Sequence, residues 1–206
     1  LSTQQILTMS FVEGVAIDEL LQQPQALRDR VMSLLFVLLF KEIFQFRLVQ
    51  TDPNFANYRF NLQTNQLVLL DFGACRDYSE TVSDGYRLLF RALLQQQPAL
   101  QLQALQQIGY FSAEIKPEQQ QAVMSLVSLA AEPLQQDSFD FASSDLPSRM
   151  RDAGLQLSMK LQYWHTPPVD ALFLHRKMAG LFLLAKTLKA KVPIRDLLLP
   201  FVEVQP

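Results

Sequence analysis

Apolar and polar positions alternate along this chain with two different periods. From Gln25 to Val49, Leu27, Val31, Leu34, Leu35, Leu38, Leu39, Ile43 and Phe46 recur at helical spacing on several faces. That pattern predicts one long helix lying deep in a core. Before it, "QILTMSFVEG" (Gln5 to Gly14) reads as a strand ending in a glycine-marked turn, and "AIDELLQQ" as a short helix stopped by Pro24. After it, Asp52-Pro53-Asn54 breaks the helix, because proline fixes its own φ and biases its neighbour away from helical backbone. The period then falls to two: "NYRFNL" and "QLVLLDF" flank "QTNQ", the pattern of a small β-hairpin. Beyond Arg76 the helical period returns. Helices are predicted over Glu80 to Gln96, Pro98 to Ile108, Pro117 to Ala131, Pro147 to Gln162 and Asp170 to Ala190, with a last one after Pro193. Pro98, Pro117, Pro147 and Pro193 stand where helices start, since a first-turn residue does not need its N–H. The outline is mostly α, with one embedded hairpin.

Composition narrows the class. The chain has 206 residues, enough for one domain or one large lobe with a sizeable core. With 49% hydrophobic and 18% charged residues and a net charge of −2, it is globular, and nucleic acid is excluded as its main partner. The Gln95–Gln97 and Gln119–Gln121 runs read as solvated helix faces and turn edges. The aromatic string Phe36, Phe40, Phe44, Phe46 has helical spacing and reads as core. Cys75 is the single cysteine, so no intrachain disulfide forms and a reducing compartment is the simpler reading; the residue itself reads as packing. "VMSLLFVLLF" is about half the length of a membrane-spanning helix. His165 and His175 have no partner at ligand spacing, which argues against zinc.

The chemistry concentrates in "VQTDPNFANYRFNLQTNQLVLLDFGACRDYS". Asp52 and Asn57 are five apart, and Asp71 follows at the end of the second hairpin strand. A hairpin returns that end to the start of its first strand, so Asp71 falls near Asn57 and the loop carrying Asp52. Two carboxylates and an amide oxygen suit Mg²⁺, which prefers hard oxygens and keeps waters for the rest of its shell. Asp-Phe-Gly alone is common by chance, and Asp-Pro-Asn alone is an ordinary turn. In this order and spacing they match the phosphoryl-transfer template: one Asp orients or deprotonates the nucleophile, while Asn and the second Asp hold magnesium on the phosphates. Gly73 would let the backbone turn sharply after Asp71. Arg76, just beyond, reads as a structural ion pair with Asp77 or Glu80, or else as a phosphate contact.

"QTDPNFAN", "LVLLDFGACRDY" and "LHRKMAGLFLLAKTLKAKVP" together resemble the UbiB-type atypical kinase-like family, in particular its ubiquinone (coenzyme Q) branch. The resemblance implies a protein-kinase-like C-lobe with a small hairpin at its active site, α+β once an N-lobe is included. Residues 1–14 would be the last N-lobe strand and hinge, and 15–206 the C-lobe. By position, Asp52 corresponds to the catalytic-loop Asp, and Asn57 and Asp71 to the magnesium ligands. "MSFVEG" falls at the hinge, where the backbone of Ser10 and Val12 would meet the adenine of ATP. The family's N-lobe elements, an Ala-rich loop, a strand Lys, a helix Glu and a Lys-x-Gly-Gln motif, do not occur here; with its start at Leu1 the chain reads as a fragment. Ordinary protein kinases carry His-Arg-Asp where this chain has Gln50-Thr51-Asp52.

Only a few residues separate Gly73 from the next helical pattern, and no Ala-Pro-Glu occurs. A peptide substrate would have little to dock on. The resemblance implies a Mg²⁺-dependent ATPase-like activity supporting ubiquinone synthesis, with water or a small or lipid-like acceptor. It implies quinone-synthesis enzymes as partners and a location on the inner face of a bacterial membrane or the matrix side of a mitochondrial one. A non-catalytic nucleotide-sensing scaffold and a small-molecule phosphotransferase are the alternatives. The C-terminal "LFLHRKMAGLFLLAKTLKAK" mixes an apolar face with Arg176, Lys177, Lys186, Lys189 and Lys191. It suits peripheral contact with anionic lipid, and equally the last core helix of a lobe.

Overall fold

The computed structural model describes residues 2–52, 54–111, 114–160 and 167–203. Pro53, His165 and the end of the helix predicted up to Gln162 lie outside the described residues. Seven α-helices and seven short strands follow one another among them. A two-residue strand β1 (Val15–Ala16) and a 3₁₀ turn (Asp18–Gln22) lead into α1 (Gln25–Lys41). Next come β2 (Leu48–Gln50), β3 (Tyr58–Asn61), β4 (Gln66–Leu69) and β5 (Cys75–Asp77). The helical half holds α2 (Glu80–Leu94), α3 (Pro98–Ile108), α4 (Pro117–Ala130), β6 (Phe139–Asp140), α5 (Leu146–Leu155), α6 (Val169–Thr187), β7 (Lys191–Val192) and α7 (Ile194–Val202). The chain is mostly α with small antiparallel sheets, as its periodicity predicts.

Helix α1 is the axis of the core. Val31, Met32, Leu35 and Leu39 are buried along it, and it packs against α6 and α7. The predicted helix to Val49 ends early. At Glu42–Phe46 the backbone opens into one π turn, and Arg47 closes it in left-handed conformation at φ 51°. Neighbours satisfy the carbonyls this loosens: the Ser83 hydroxyl donates to the Ile43 carbonyl at 2.8 Å, and Arg87 to that of Phe44 at 3.3 Å. The π turn rotates Glu42, Ile43 and Phe44 inward and leaves Phe46 59% exposed. The core reading of the aromatic string therefore holds for Phe36, Phe40 and Phe44 but not for Phe46.

No strand forms over Gln5 to Gly14, contrary to the periodicity. An extended segment becomes a strand only where a neighbouring strand takes its backbone groups. Here the Ile6 carbonyl takes the Thr3 N–H, and the Gln5, Ile6 and Thr8 N–H groups go to the Thr3 and Ser2 hydroxyls. The Glu13 and Gly14 carbonyls accept from the Asn61 and Arg59 side chains of β3. Ile6, Leu7, Met9 and Phe11 stay exposed. The apolar face of α6 lies in the core, with Ala171, Leu174, Leu181, Leu184 and Ala185 buried. Among the described residues, no helix is long and apolar enough to cross a membrane.

One buried ion pair crosses this core. Lys177 of α6 meets Glu42 of the π turn, with side chains only 3% and 8% exposed. Burial raises the Glu42 carboxyl pKa and lowers that of the Lys177 ammonium, while each charge partly reverses the other's shift. Lys177 was grouped by sequence with the solvent-facing charges of its helix; it is a core residue.

Two outcomes check this packing. Lys177→Met leaves Glu42 buried without its cation and should cost about 3–5 kcal/mol, read as a fall in melting temperature. Adding Glu42→Leu should restore most of the loss. A Cβ at Gly85 would stand 2.7 Å from Ile108 Cγ1, where α2 meets α3. Gly85→Ala should therefore destabilise by about 1–3 kcal/mol, although the same change in an exposed helix stabilises.

Candidate functional site

Two pairs of strands frame the site. Strand β2 pairs antiparallel with β5, with Gln50 opposite Cys75, and β3 pairs with β4, with Tyr58 opposite Leu69. The β2–β3 connection carries Asp52 and Asn57, and the β4–β5 connection carries Asp71. Both connections leave the sheets at the same end. Two further rungs tie them: the Thr51 N–H and hydroxyl both donate to the Ala74 carbonyl, at 3.0 and 2.7 Å, and the Leu70 N–H donates to the Asn57 carbonyl at 3.0 Å. Thr51 is buried, so that joint is sheltered from water.

Within the frame, the Asn57 amide donates to Asp52 Oδ2 at 2.9 Å. The other oxygen of Asp52 accepts the Asn54 N–H at 3.3 Å, and the Asn54 side chain caps the following 3₁₀ turn through the Ala56 N–H. With its nitrogen on Asp52, Asn57 keeps its amide oxygen as an acceptor. Asp71 stands one residue beyond the Leu70 rung and is exposed; its Oδ1 accepts the Gly73 N–H at 2.7 Å. A Cβ on Gly73 would lie 3.1 Å from that same oxygen. Gly73 does not have the left-handed φ that a sharp glycine turn would need. A side chain there would crowd the Asp71 carboxylate out of its present position.

The connections are fastened to the core from behind. The Gln50 backbone lies close enough to the buried Glu42 carboxylate to favour its charged form, and the Gln50 side-chain oxygen accepts the Tyr58 hydroxyl at 3.1 Å. Burial raises the Tyr58 pKa, so the phenol stays a donor. On the other side, Arg76 pairs with Asp170 at the start of α6, at 3.0 Å, and stacks over the Phe173 ring. The Tyr78 hydroxyl donates to the Asp170 carbonyl at 2.5 Å. The structural reading of Arg76 stands, with a partner that sequence reasoning did not name. Only Ala74 to Ser79 separate Gly73 from α2, which starts at Glu80 with the Ser79 hydroxyl as its cap. Cys75 is half-buried in β5, and burial with nearby Glu42 raises its thiol pKa, consistent with packing.

The donor set decides which metal the site fits. The oxygens of Asn57 and Asp71 are hard ligands from two residues, and among the described residues no cluster of three His, Cys, Asp or Glu could close around an ion. A small hard cation that keeps most of its shell for water and phosphate oxygens fits such a pair; zinc does not. Ser10 and Val12 lie on the exposed run before β1, and the described contacts bring neither to Asp52, Asn57 or Asp71. Arg176 of α6 is the residue that sequence reasoning missed: its guanidinium is 3.9 Å from Asp52 Oδ1. In the sequence it appears only among the cations of a helix suited to anionic lipid or to the core of a lobe.

Comparison with known proteins gives consistent relatives. The chain is 32% identical over 201 residues to the mitochondrial atypical kinase COQ8B of Danio rerio, covering 97% of this chain and 32% of that protein. It is 33% identical over 197 residues to the mitochondrial atypical kinase COQ8 of Saccharomyces cerevisiae, covering 93% and 38%. The chain thus spans about a third of the length of these curated relatives. A solved structure, the complex of Rv3197 with erythromycin from Mycobacterium tuberculosis, superposes with a TM-score of 0.65 at 19% identity, over 94% of this chain and 49% of that one. That likeness establishes the fold. The model of the ABC1 atypical kinase-like domain matches residues 1–104, the stretch holding both framed connections, and the chain belongs to the ABC1 atypical kinase-like family.

Proposed function

We propose that this chain is the catalytic-loop and metal-binding lobe of an enzyme that transfers the γ-phosphoryl group of ATP to water or to a small, lipid-like acceptor, in support of coenzyme Q synthesis. The observation that carries the reading is the joint between the two connections: Asp52 bonded to Asn57, and Asp71 held one residue past the Asn57–Leu70 rung. Asn57 Oδ1 and Asp71 would hold Mg²⁺, which when bound neutralises phosphate charge and orients the terminal phosphoryl group.

The chain's own groups divide the rest of the work. Asn57 holds one oxygen of Asp52 and so fixes the carboxylate plane. The other oxygen receives the proton of the attacking hydroxyl or water. As that O–H proton passes to Asp52, the acceptor oxygen forms a bond to the γ-phosphorus, and the bond from phosphorus to the β–γ bridging oxygen breaks, releasing ADP. With water as acceptor the products are ADP and inorganic phosphate. The Gly73 N–H keeps the Asp71 carboxylate in one rotamer. The backbone of Ser10 and Val12 would contact the adenine edge, on the run whose last carbonyls are already tied to β3.

A small or lipid-like acceptor is favoured over a protein by the shortness of the six residues between Gly73 and α2, of which Cys75–Asp77 pair with β2, Arg76 and Tyr78 bond to Asp170, and Ser79 caps α2. No loop remains there for a peptide to dock on. The COQ8 names of the relatives support the quinone context, and with it the inner bacterial membrane face or the mitochondrial matrix side as the place of action.

The test is Mg²⁺-dependent ATP turnover by the full-length protein, with and without quinone-like lipids. Asp71→Asn should lower turnover by at least about a hundredfold, the scale for losing one electrostatic element of a reaction centre. Turnover unchanged by Asp71→Asn would refute the site. Wild-type protein that binds Mg-ATP without turning it over would favour a nucleotide-sensing scaffold.

A further inference from the structure

We propose that Arg176, carried by α6 more than a hundred residues past the catalytic loop, is the phosphoryl-binding cation of this site; the proposal rests on the phosphoryl-transfer reading above. The framed connections are short of positive charge. Residues 50–57 and 71–74 include Asp52 and Asp71 and contain no Lys or Arg. A nucleotide triphosphate brought beside two carboxylates adds further negative charge, and one divalent cation does not neutralise it.

The neighbouring cations are engaged elsewhere. Lys177 is buried on Glu42, Arg76 is on Asp170, and Arg59 donates to the Gly14 carbonyl at 2.8 Å. Arg176 differs from all three. Its side chain is 59% exposed, and its nearest carboxylate oxygen, Asp52 Oδ1, is 3.9 Å away. That is within ion-pair range but beyond hydrogen-bond reach. Asp52 is already bonded to the Asn57 amide and the Asn54 N–H, so it does not need the guanidinium as a donor. Among the described residues nothing else takes the Arg176 donors. A planar fork of unengaged N–H groups is the side chain best shaped for bidentate contact with phosphate oxygens.

The root of the side chain is fixed although its head is free. On one side, the His175 ring meets the Tyr110 hydroxyl, which lies 3.2 Å from that of Tyr86. On the other, Lys177 is locked into the core. Arg176 thus emerges from a clamped turn of helix and delivers its charge beside the acid that receives the proton. A guanidinium there would stabilise charge on the transferring phosphoryl group, as arginines do in other phosphoryl-transfer sites.

The experiment compares wild type, Arg176→Ala, Arg176→Lys and Asp71→Asn in the full-length protein. Thermal shift is measured with Mg-ADP and with Mg-ADP plus aluminium fluoride, a mimic of the transferring phosphoryl group, alongside ATP turnover. Arg176→Ala should melt within a degree or two of wild type without nucleotide and keep its Mg-ADP shift. It should lose the extra shift from aluminium fluoride, and kcat should fall at least tenfold with KM for ATP changed less than threefold. Arg176→Lys, which keeps the charge and loses the fork, should recover part of kcat. Full retention of the aluminium fluoride shift and of kcat in Arg176→Ala, with Asp71→Asn inactive, overturns the role of Arg176 alone. A wild type that responds to neither nucleotide state overturns the underlying site and this role with it.

Discussion

The Glu42–Lys177 ion pair is the constraint on which the rest of the molecule depends. Two opposite charges 135 residues apart are held out of water in the middle of the core. Such a pair stabilises little compared with a well-packed apolar replacement, yet breaking it is costly, so it fixes which elements must meet. Here it fixes α6 against the π turn that ends α1. The same Glu42 carboxylate lies beside the backbone of Gln50, two residues before Asp52. The connection that carries Asp52 and Asn57 thus starts beside a core residue that is itself held by a helix far away in sequence.

Helix α6 is correspondingly more than the closing wall of a helical lobe. Its first turn holds β5 through Asp170, which accepts from both Arg76 and Tyr78. Its middle turn holds Glu42 and directs Arg176 at Asp52. Between these points the Asp71–Gly73 turn is short and tied at both ends, yet exposed to whatever binds above it. A rigid base with an open face is what a site needs when its catalytic power comes from positioned charge rather than covalent chemistry. Phe72, at 59%, and Ile6, Leu7, Met9, Phe11 and Val12 are exposed apolar side chains among the described residues.

Much of this was legible in the residue order. Periodicity located the hairpin and placed α3 at Pro98–Ile108, because local rules govern both: turn residues between alternating strands, and proline at a first helical turn. That the connections carrying Asp52, Asn57 and Asp71 come together was legible because all three residues lie within twenty residues across one hairpin. What was not legible came from long-range packing. The π turn at Glu42–Phe46 has no composition signal; Ser83 and Arg87, distant in sequence, donate to its loosened carbonyls. Burial of Lys177 could not be read from a helix whose neighbours are His175 and Arg176, since which charge faces inward depends on where Glu42 arrives. The strand expected before Gly14 failed for the opposite reason: its local pattern is right, but no described strand pairs with it through the backbone.

The most direct measurement of the central claim is a crystal structure of the full-length protein with Mg²⁺ and a non-hydrolysable ATP analogue. Magnesium should be bound through Asn57 Oδ1 and the Asp71 carboxylate, with Asp52 Oδ1 facing the terminal phosphate. Metal and phosphates seated elsewhere, with the Asp52–Asn57 bond and the Asp71 turn untouched, would contradict it.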